Sequence, residues 1–381
     1  MRRGEQHMKF SIIYEGATSD ITRAGEALLY HSIAEQALLA DELGFDVIWS
    51  VEHTALTWYS HISAPESLLA FIAGSTKRIH VGHGVICLPF AMNHPIKVAE
   101  RVATLDILSK GRVHFGVGKG NTVQEAGAFQ IPLDQITAQV DEAMYMIPKM
   151  WMQEEFAHDG LIHIPPRPIH PKPYQDPHPP MYMACSKPES VMIAGARGMG
   201  ALVLGFSGPE EFARKNAMYR KAFRERNPAD QVGFRPNEHL AVLCPTVVLD
   251  DREEARRIGV RGQRFFAESL AYWYAGGPPP DIPDLSIAAQ TEEMEAHKKR
   301  VLAFLDSVEI TPTEQHTGYY DFDAAYGTVS DAIAYVERLK LAGADEVLFL
   351  PQMGTVPHEI IMKTIDNIGR HVIPHFRGRG D

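Results

Sequence analysis

Cationic residues are in deficit along this chain. Over 381 residues, 37 lysines and arginines face 48 aspartates and glutamates, a formal charge of −11. Binding a phosphate backbone needs clustered cations to displace counterions, so the balance argues against a nucleic-acid partner and favours a small molecule. Cysteine is scarce too: Cys87, Cys185 and Cys244 lie far apart and fit no C-x-x-C spacing. They read as buried thiols of a reducing compartment, neither a disulfide framework nor a metal clamp. No long apolar run occurs. The basic start MRRGEQH is followed by KFSIIYEG, too short and too soon polar for a signal-peptide core or a membrane span, which places the protein in the cytoplasm. H-E-x-x-H and G-x-S-x-G are both missing, and with them the usual signs of a zinc hydrolase or a serine nucleophile elbow. Histidines are plentiful, but His158, His163, His170 and His178 follow no ligand spacing, so no metal site is expected.

What the chain does have is apolar residue, 45% of the total, and an alternation of short β-rich runs with longer helical patterns. Eight runs can be read: 9–14, 46–51, 79–88, 113–118, 180–185, 201–206, 240–249 and 346–351. Between them apolar residues recur at helical spacing, as in Leu28, Ile33, Ala37, Leu38 and Leu43, or Ile333, Val336, Leu339 and Leu341. Parallel strands joined by amphipathic crossover helices are implied, and eight of them make a (β/α)8 barrel, an α/β fold that holds this length in one domain. Gly44 and Gly343 stand where left-handed helix C-caps are needed. Two insertions break the rhythm. Residues 153–180, with IPPRPIHPKPYQDPHPP, suit an extended surface loop, since their prolines forbid helix. Residues 271–320, opening AYWYAGGPPP, are too long for a structureless connector and suit a lid.

In such a barrel the C-terminal strand ends carry chemistry. Glu52 and His53 follow the second run, a site candidate or simply a polar surface loop. GVGKGN, residues 116–121, fails the dinucleotide spacing because Asn121 and Val123 stand where glycine is required. It remains either a phosphate cradle with Lys119 or a tight turn with an exposed lysine. ACSKPES places Ser186 as a helix N-cap, with Pro188 in the first turn; capping alone explains the serine, and a shared barrel face with Lys119 would make it a phosphate site. Tyr272, Trp273 and Tyr274 cannot all face inward on one helix, so at least one should face a groove.

Taken in order, GFDVIWSVEHT, VGHGVICLP, LSKGRVHFGVGKG, PHPPMYMACSKPES and AGARGMGALVLGF resemble successive strands of the bacterial luciferase-like flavin monooxygenases, and RFFAESLAYWYAGGPPP resembles the start of the luciferase lid. The resemblance implies His53 near the flavin with Glu52 as its neighbour. It puts Gly84 and Val85 at a non-proline cis peptide beneath the ring, and Lys119 at a phosphate-binding arginine. It also puts Cys185, through its backbone, and Ser186 on the phosphate loop, and Phe206 near a flanking aromatic. Thr54 replaces a second histidine and Gly118 a reactive cysteine, so light emission is not implied. Lysine in place of arginine at 119 loses the bidentate fork and implies a weaker hold on the cofactor.

By the same resemblance the protein would be a two-component monooxygenase. Reduced flavin mononucleotide (FMN) from a separate flavin reductase would react with O2 to a C4a-peroxide and oxygenate a small, apolar organic substrate. Homodimers are common in the family. Rival readings are a deazaflavin-dependent dehydrogenase of the same fold and a non-catalytic flavin-binding protein.

Overall fold

A computed structural model of the chain describes residues 7–120, 122–204, 208–307 and 324–378. Eight parallel strands close on themselves: β1 (Lys9–Tyr14), β2 (Val47–Ser50), β3 (His80–Cys87), β4 (Val113–Gly118), β7 (Met181–Cys185), β8 (Gly200–Val203), β9 (Leu240–Val248) and β11 (Glu346–Leu350). β8 pairs with β9, β9 with β11 and β11 with β1, which closes the ring. Seven expected runs hold one strand each; β8 begins one residue before the remaining run, 201–206, whose last two residues lie outside the described ones. They are apolar almost throughout because helices cover one face and the barrel interior the other. β10 (Ala325–Gly327) adds a short parallel pairing to the far end of β9.

The helices are α1 (Arg23–Leu43), α2 (Pro65–Ser75), α3 (Pro95–Leu108), α4 (Val123–Ala128), α5 (Ile136–Met152), α6 (Pro188–Ala196), α7 (Gly208–Glu225), α8 (Arg252–Ala275), α9 (Ile287–Ser307), α10 (Val329–Leu341), α11 (His358–Asn367) and α12 (Ile373–Arg377). Gly44, at φ 81°, and Gly343, at φ 95°, adopt the left-handed conformation expected of them. The buried stripe of α1 is Leu29, Ile33, Ala37 and Ala40, and Leu28 and Leu38 are exposed, a correction to the apolar face read from sequence. Each sits about 100° off the stripe, so spacing alone could not choose between neighbouring leucines. Leu341 ends α10 and is 87% exposed. Residues 153–180 are not an unbroken loop: they hold the antiparallel hairpin β5 (Phe156–Asp159) and β6 (His163–Arg167). Pro165 and Pro166 fit there because a two-stranded ribbon leaves an edge that needs no N–H. Of the 271–320 segment, the described part includes α9, and 308–320 lie outside the described residues. Among the described residues no helix is long and apolar enough to cross a membrane.

The lower barrel is packed with polar groups that satisfy one another. Trp49 on β2 donates its indole N–H to Glu346 (2.8 Å) and meets the Tyr182 and His114 rings edge-on. Only an inward-facing residue reaches three other strands in this way. Gly82 makes room for it, since a Cβ there would lie 2.4 Å from the indole. Glu346 also pairs with His239 (2.7 Å). Burial opposes its charge, but the His239 contact outweighs it and holds the carboxyl down to about 2. This network lies at the N-terminal strand ends and leaves the opposite mouth free for a site.

Candidate active site

A cavity of about 380 Å³ opens at the C-terminal ends of the strands. Cofactor pockets run to roughly 300–1,000 Å³. Its floor is nearly bare of side chains. Gly84 and Gly118 line it, and a Cβ on Gly118 would meet Val85 Cγ2 at 2.3 Å. Val85 arrives there through a bulge: two residues of β3, Gly84 and Val85, oppose the single Gly116 of β4. The described cis peptides are His170–Pro171 and Asp176–Pro177, so the expected cis bond at Gly84–Val85 is not found. The irregularity is the bulge instead. Gly116 permits it, because a Cβ there would meet the His83 carbonyl oxygen at 2.1 Å.

On the β1–β2 side the side chains form a hydrogen-bonded chain. Past the end of β2, Val51 and His53 reach the cavity, and the His53 side chain is 13% exposed. Its Nδ1 lies 2.9 Å from Glu125 Oε1, and its Nε2 lies 3.3 Å from the Tyr59 hydroxyl, which donates in turn to Glu15 Oε2 at 3.3 Å. Glu125 is fixed by a capping box: Thr122 and Glu125 bond reciprocally at the start of α4. Burial pulls the His53 pKa down, but Glu125, by hydrogen bond and charge, with Glu15 and Glu52 more distant, overrides it and leaves the imidazole raised. Glu125 is the complement. Burial pushes it up, and hydrogen bonds from His53, Thr122 and the Thr54 N–H bring it below the ordinary value. Both shifts favour the charged forms, so the contact favours an imidazolium–carboxylate pair.

Glu52, two residues past the end of β2, also borders the cavity, but its carboxylate is taken up by other partners. Its carboxylate accepts from the Cys87 N–H (2.7 Å) and from Asn93 Nδ2 (2.9 Å), tying the end of β2 to β3 and to the approach to α3. Tyr59 is delivered by a strained loop in which Ala55 (φ 60°) and Trp58 (φ 65°) are left-handed. For an indole-bearing residue that conformation persists only when neighbours enforce it. Here the Trp58 carbonyl accepts from the Thr18 N–H, its ring meets Tyr272 edge-on at 5.2 Å, and Trp273 donates to the Thr57 carbonyl at 2.8 Å. Tyr274 lines the cavity with Phe266 and Leu270, so of the three aromatics that end α8 one faces the pocket and two brace the loop.

On the β4–β7 side the lining holds three cations, Lys119, Lys187 and Arg197, beside two carboxylates, Asp141 and Glu189. Lys119 bonds Thr137 Oγ1 (3.0 Å), and Ser186, Lys187, Ser190 and Arg197 complete the wall around the start of α6. The N-cap is Lys187 instead of Ser186, which stands one residue earlier. Ser190 takes the capping task by bonding both the N–H and the carbonyl of Lys187, which leaves Ser186 facing the cavity. Cys185 turns its thiol into the core, where burial raises it to about 12. Phe206 lies outside the described residues.

Sequence reasoning thus missed Glu15, Tyr59 and Glu125 at one end and Lys187, Ser190 and Arg197 at the other. The T-x-x-E pattern at 122–125 was a legible signal for Glu125, and Glu15 follows a strand as His53 does. Arg197 carries none, being one helix length from Ser186.

The family model for luciferase-like monooxygenases matches residues 8–346. The oxygenase component of the flavin-dependent trigonelline monooxygenase of Acinetobacter baylyi is 27% identical, over 70% of this chain and 72% of that one. An F420-dependent hydroxymycolic acid dehydrogenase of Mycobacterium tuberculosis is 31% identical over 44% of this chain and 47% of that one. Across the first curated relatives the match spans from 47% to 73% of their length. The oxygenating constituent of 3,6-diketocamphane monooxygenase from Pseudomonas putida, solved with FMN, superposes with a TM-score of 0.71 at 19% identity, over 97% of this chain and 98% of that one. Matched along most of its length and folded as a closed eight-stranded parallel barrel, the chain belongs to the luciferase-like monooxygenase family of oxidoreductases.

Proposed function

We propose that the protein is the oxygenase component of a two-component system, taking reduced FMN from a separate flavin reductase and inserting one atom of O2 into a small, largely apolar substrate. The observation that carries this reading is a single cavity with a buried histidine chain at one end, a cationic corner at the other and a glycine floor between. The residues fit the cofactor. Lys119, Lys187 and Arg197 would offer charge, and Ser186 a hydroxyl, for a terminal phosphate beside a helix start. Gly84 and Gly118 leave the flat space a ring system needs, and Val51, Val85, Met183 and Leu243 supply apolar walls.

Reduced FMN, when bound, supplies the electrons that activate O2. The chain's own residues do the rest. Glu125 favours the imidazolium form of His53, and Nε2, beside the Tyr59 hydroxyl at the cavity wall, would serve as proton donor or as the hydrogen bond that orients a substrate carbonyl. Phe266, Leu270 and Tyr274 keep water from that end. Glu52 and Asn93 hold the strand end that sets the position of His53.

F420-dependent oxidation is the competing chemistry, because a named relative uses it. The deciding experiment loads the protein anaerobically with reduced FMN, then admits isotopically labelled O2 with a panel of ketones and aldehydes. One labelled oxygen atom should enter the product. Absence of label, together with alcohol-dependent reduction of oxidised F420, would overturn the reading.

A further inference from the structure

We propose that Glu15 and Tyr59 form a buried relay that returns to His53 the proton its Nε2 gives up. Glu15, just past β1, is 4% exposed and Tyr59 7% exposed, and both border the cavity, so among the described residues their one opening is toward the site. The Tyr59 hydroxyl lies 3.3 Å from Glu15 Oε2 and 3.3 Å from His53 Nε2, midway between the two. Its ring packs on the imidazole at 4.9 Å between centroids, and Phe266 covers it edge-on at 5.4 Å. A tyrosine hydroxyl both donates and accepts, so it can pass a proton without forming phenolate.

The step balances. With Glu15 in its acid form the 3.3 Å contact reverses, Glu15 Oε2–H donating to the Tyr59 oxygen and the Tyr59 hydroxyl turning to the unprotonated His53 Nε2. The Glu15 O–H bond then breaks as its proton joins the Tyr59 oxygen, and the Tyr59 O–H bond breaks as its own proton joins Nε2. Glu15 is left as carboxylate and His53 as imidazolium, while Glu125 remains anionic at Nδ1. The summed charge of the three groups does not change, and nothing is oxidised or reduced. Burial raises the Glu15 carboxyl above its ordinary value, with His53 and Tyr59 opposing, which suits a group that keeps its proton until a neighbour needs it. Among the described residues neither lysine nor arginine pairs with Glu15, so no fixed cation locks it as carboxylate. Facing His53 are Glu125 from α4, Glu15 from β1, Glu52 from the end of β2 and Tyr59 from the loop. Glu52 has its own neighbours in Arg101, Glu66 and Cys87.

Glu15 and Tyr59 act through His53 and are positioning residues in this scheme. The inference rests on the proton-handling role given to His53 above, and its test separates the two. In flavin-free protein carrying ring-labelled histidine, the His53 imidazole is titrated by NMR in the wild type and in Glu15→Gln. Glutamine mimics the shape of the neutral acid but has no acidic proton and never becomes an anion. The His53 pKa should fall by about one unit, the scale of losing a nearby opposite charge. In the loaded enzyme, the alkaline limb of the pH profile for product formation should move down by the same amount, and Tyr59→Phe, which removes one oxygen atom, should move it the same way. If the limb holds still in both variants, the relay is overturned and the two side chains only pack. If the enzyme makes no oxygenated product, the proposed function falls while the NMR titration still decides the relay. An unchanged His53 pKa in Glu15→Gln sinks the relay whatever the reaction.

Discussion

Replacing His53 with alanine is expected to cut coupled product formation on the order of 100-fold or more, the usual scale for a lost acid–base group. Oxygen should still be consumed, with hydrogen peroxide released in place of product. The fold should survive, because Glu125 keeps the Thr54 N–H and both Thr122 donors when the imidazole is gone. Stability should nonetheless report the lost ion pair, with a sign that can be worked out. A raised His53 contributes fully below its ordinary value of 6.5, and the contribution fades as pH rises through the folded pKa. A lowered Glu125 contributes fully above its ordinary value of 4.5, and that contribution fades as pH falls through its folded pKa. The difference in Tm between wild type and His53→Ala should therefore be widest between pH 4.5 and 6.5 and shrink on either side. If the variant keeps normal coupling of oxygen use to product, the histidine is structural and the proposed mechanism loses its central group.

The second large effect belongs to the cationic corner. Removing both Lys119 and Arg197 by substitution with alanine should weaken binding of reduced FMN on the order of 100-fold, since a hydrogen bond to a charged group is worth about 1.5–3 kcal/mol. Lys119 is exposed and Arg197 already spends one donor on Asp141 (2.9 Å), so each alone should do less. Binding of reduced riboflavin, which lacks the phosphate, should change little. Equal losses for both flavins in a titration would show that the two cations shape the cavity without meeting a phosphate.

The barrel was legible because its signal is periodic. Each strand is a short apolar run, and the glycines at 44 and 343 punctuate the helix ends. Which leucine of α1 points inward was not legible, since Leu28 and Leu29 differ by one step of a helix. At the site the same boundary holds. His53 could be found from its place just past a strand end, and Glu52 beside it borders the same cavity. Its partners could not be found as a set: Tyr59 depends on two left-handed residues in a loop, and Arg197 on how α6 lies across the barrel mouth. The inward turn of Val85 depends on a bulge that Gly116 allows but does not announce. Contacts made by backbone irregularities leave little trace in spacing.

The central claim is that one cavity holds FMN with its phosphate at the start of α6 and its ring beside His53. The most direct measurement is a crystal structure of the protein with reduced FMN bound under anaerobic conditions. The account predicts phosphate oxygens within hydrogen-bond reach of Lys119, Ser186, Lys187 and Arg197, with the ring lying over Gly84, Val85 and Gly118 and His53 Nε2 turned toward it. A flavin bound the other way round, with its phosphate near His53, or bound outside this cavity, would contradict it.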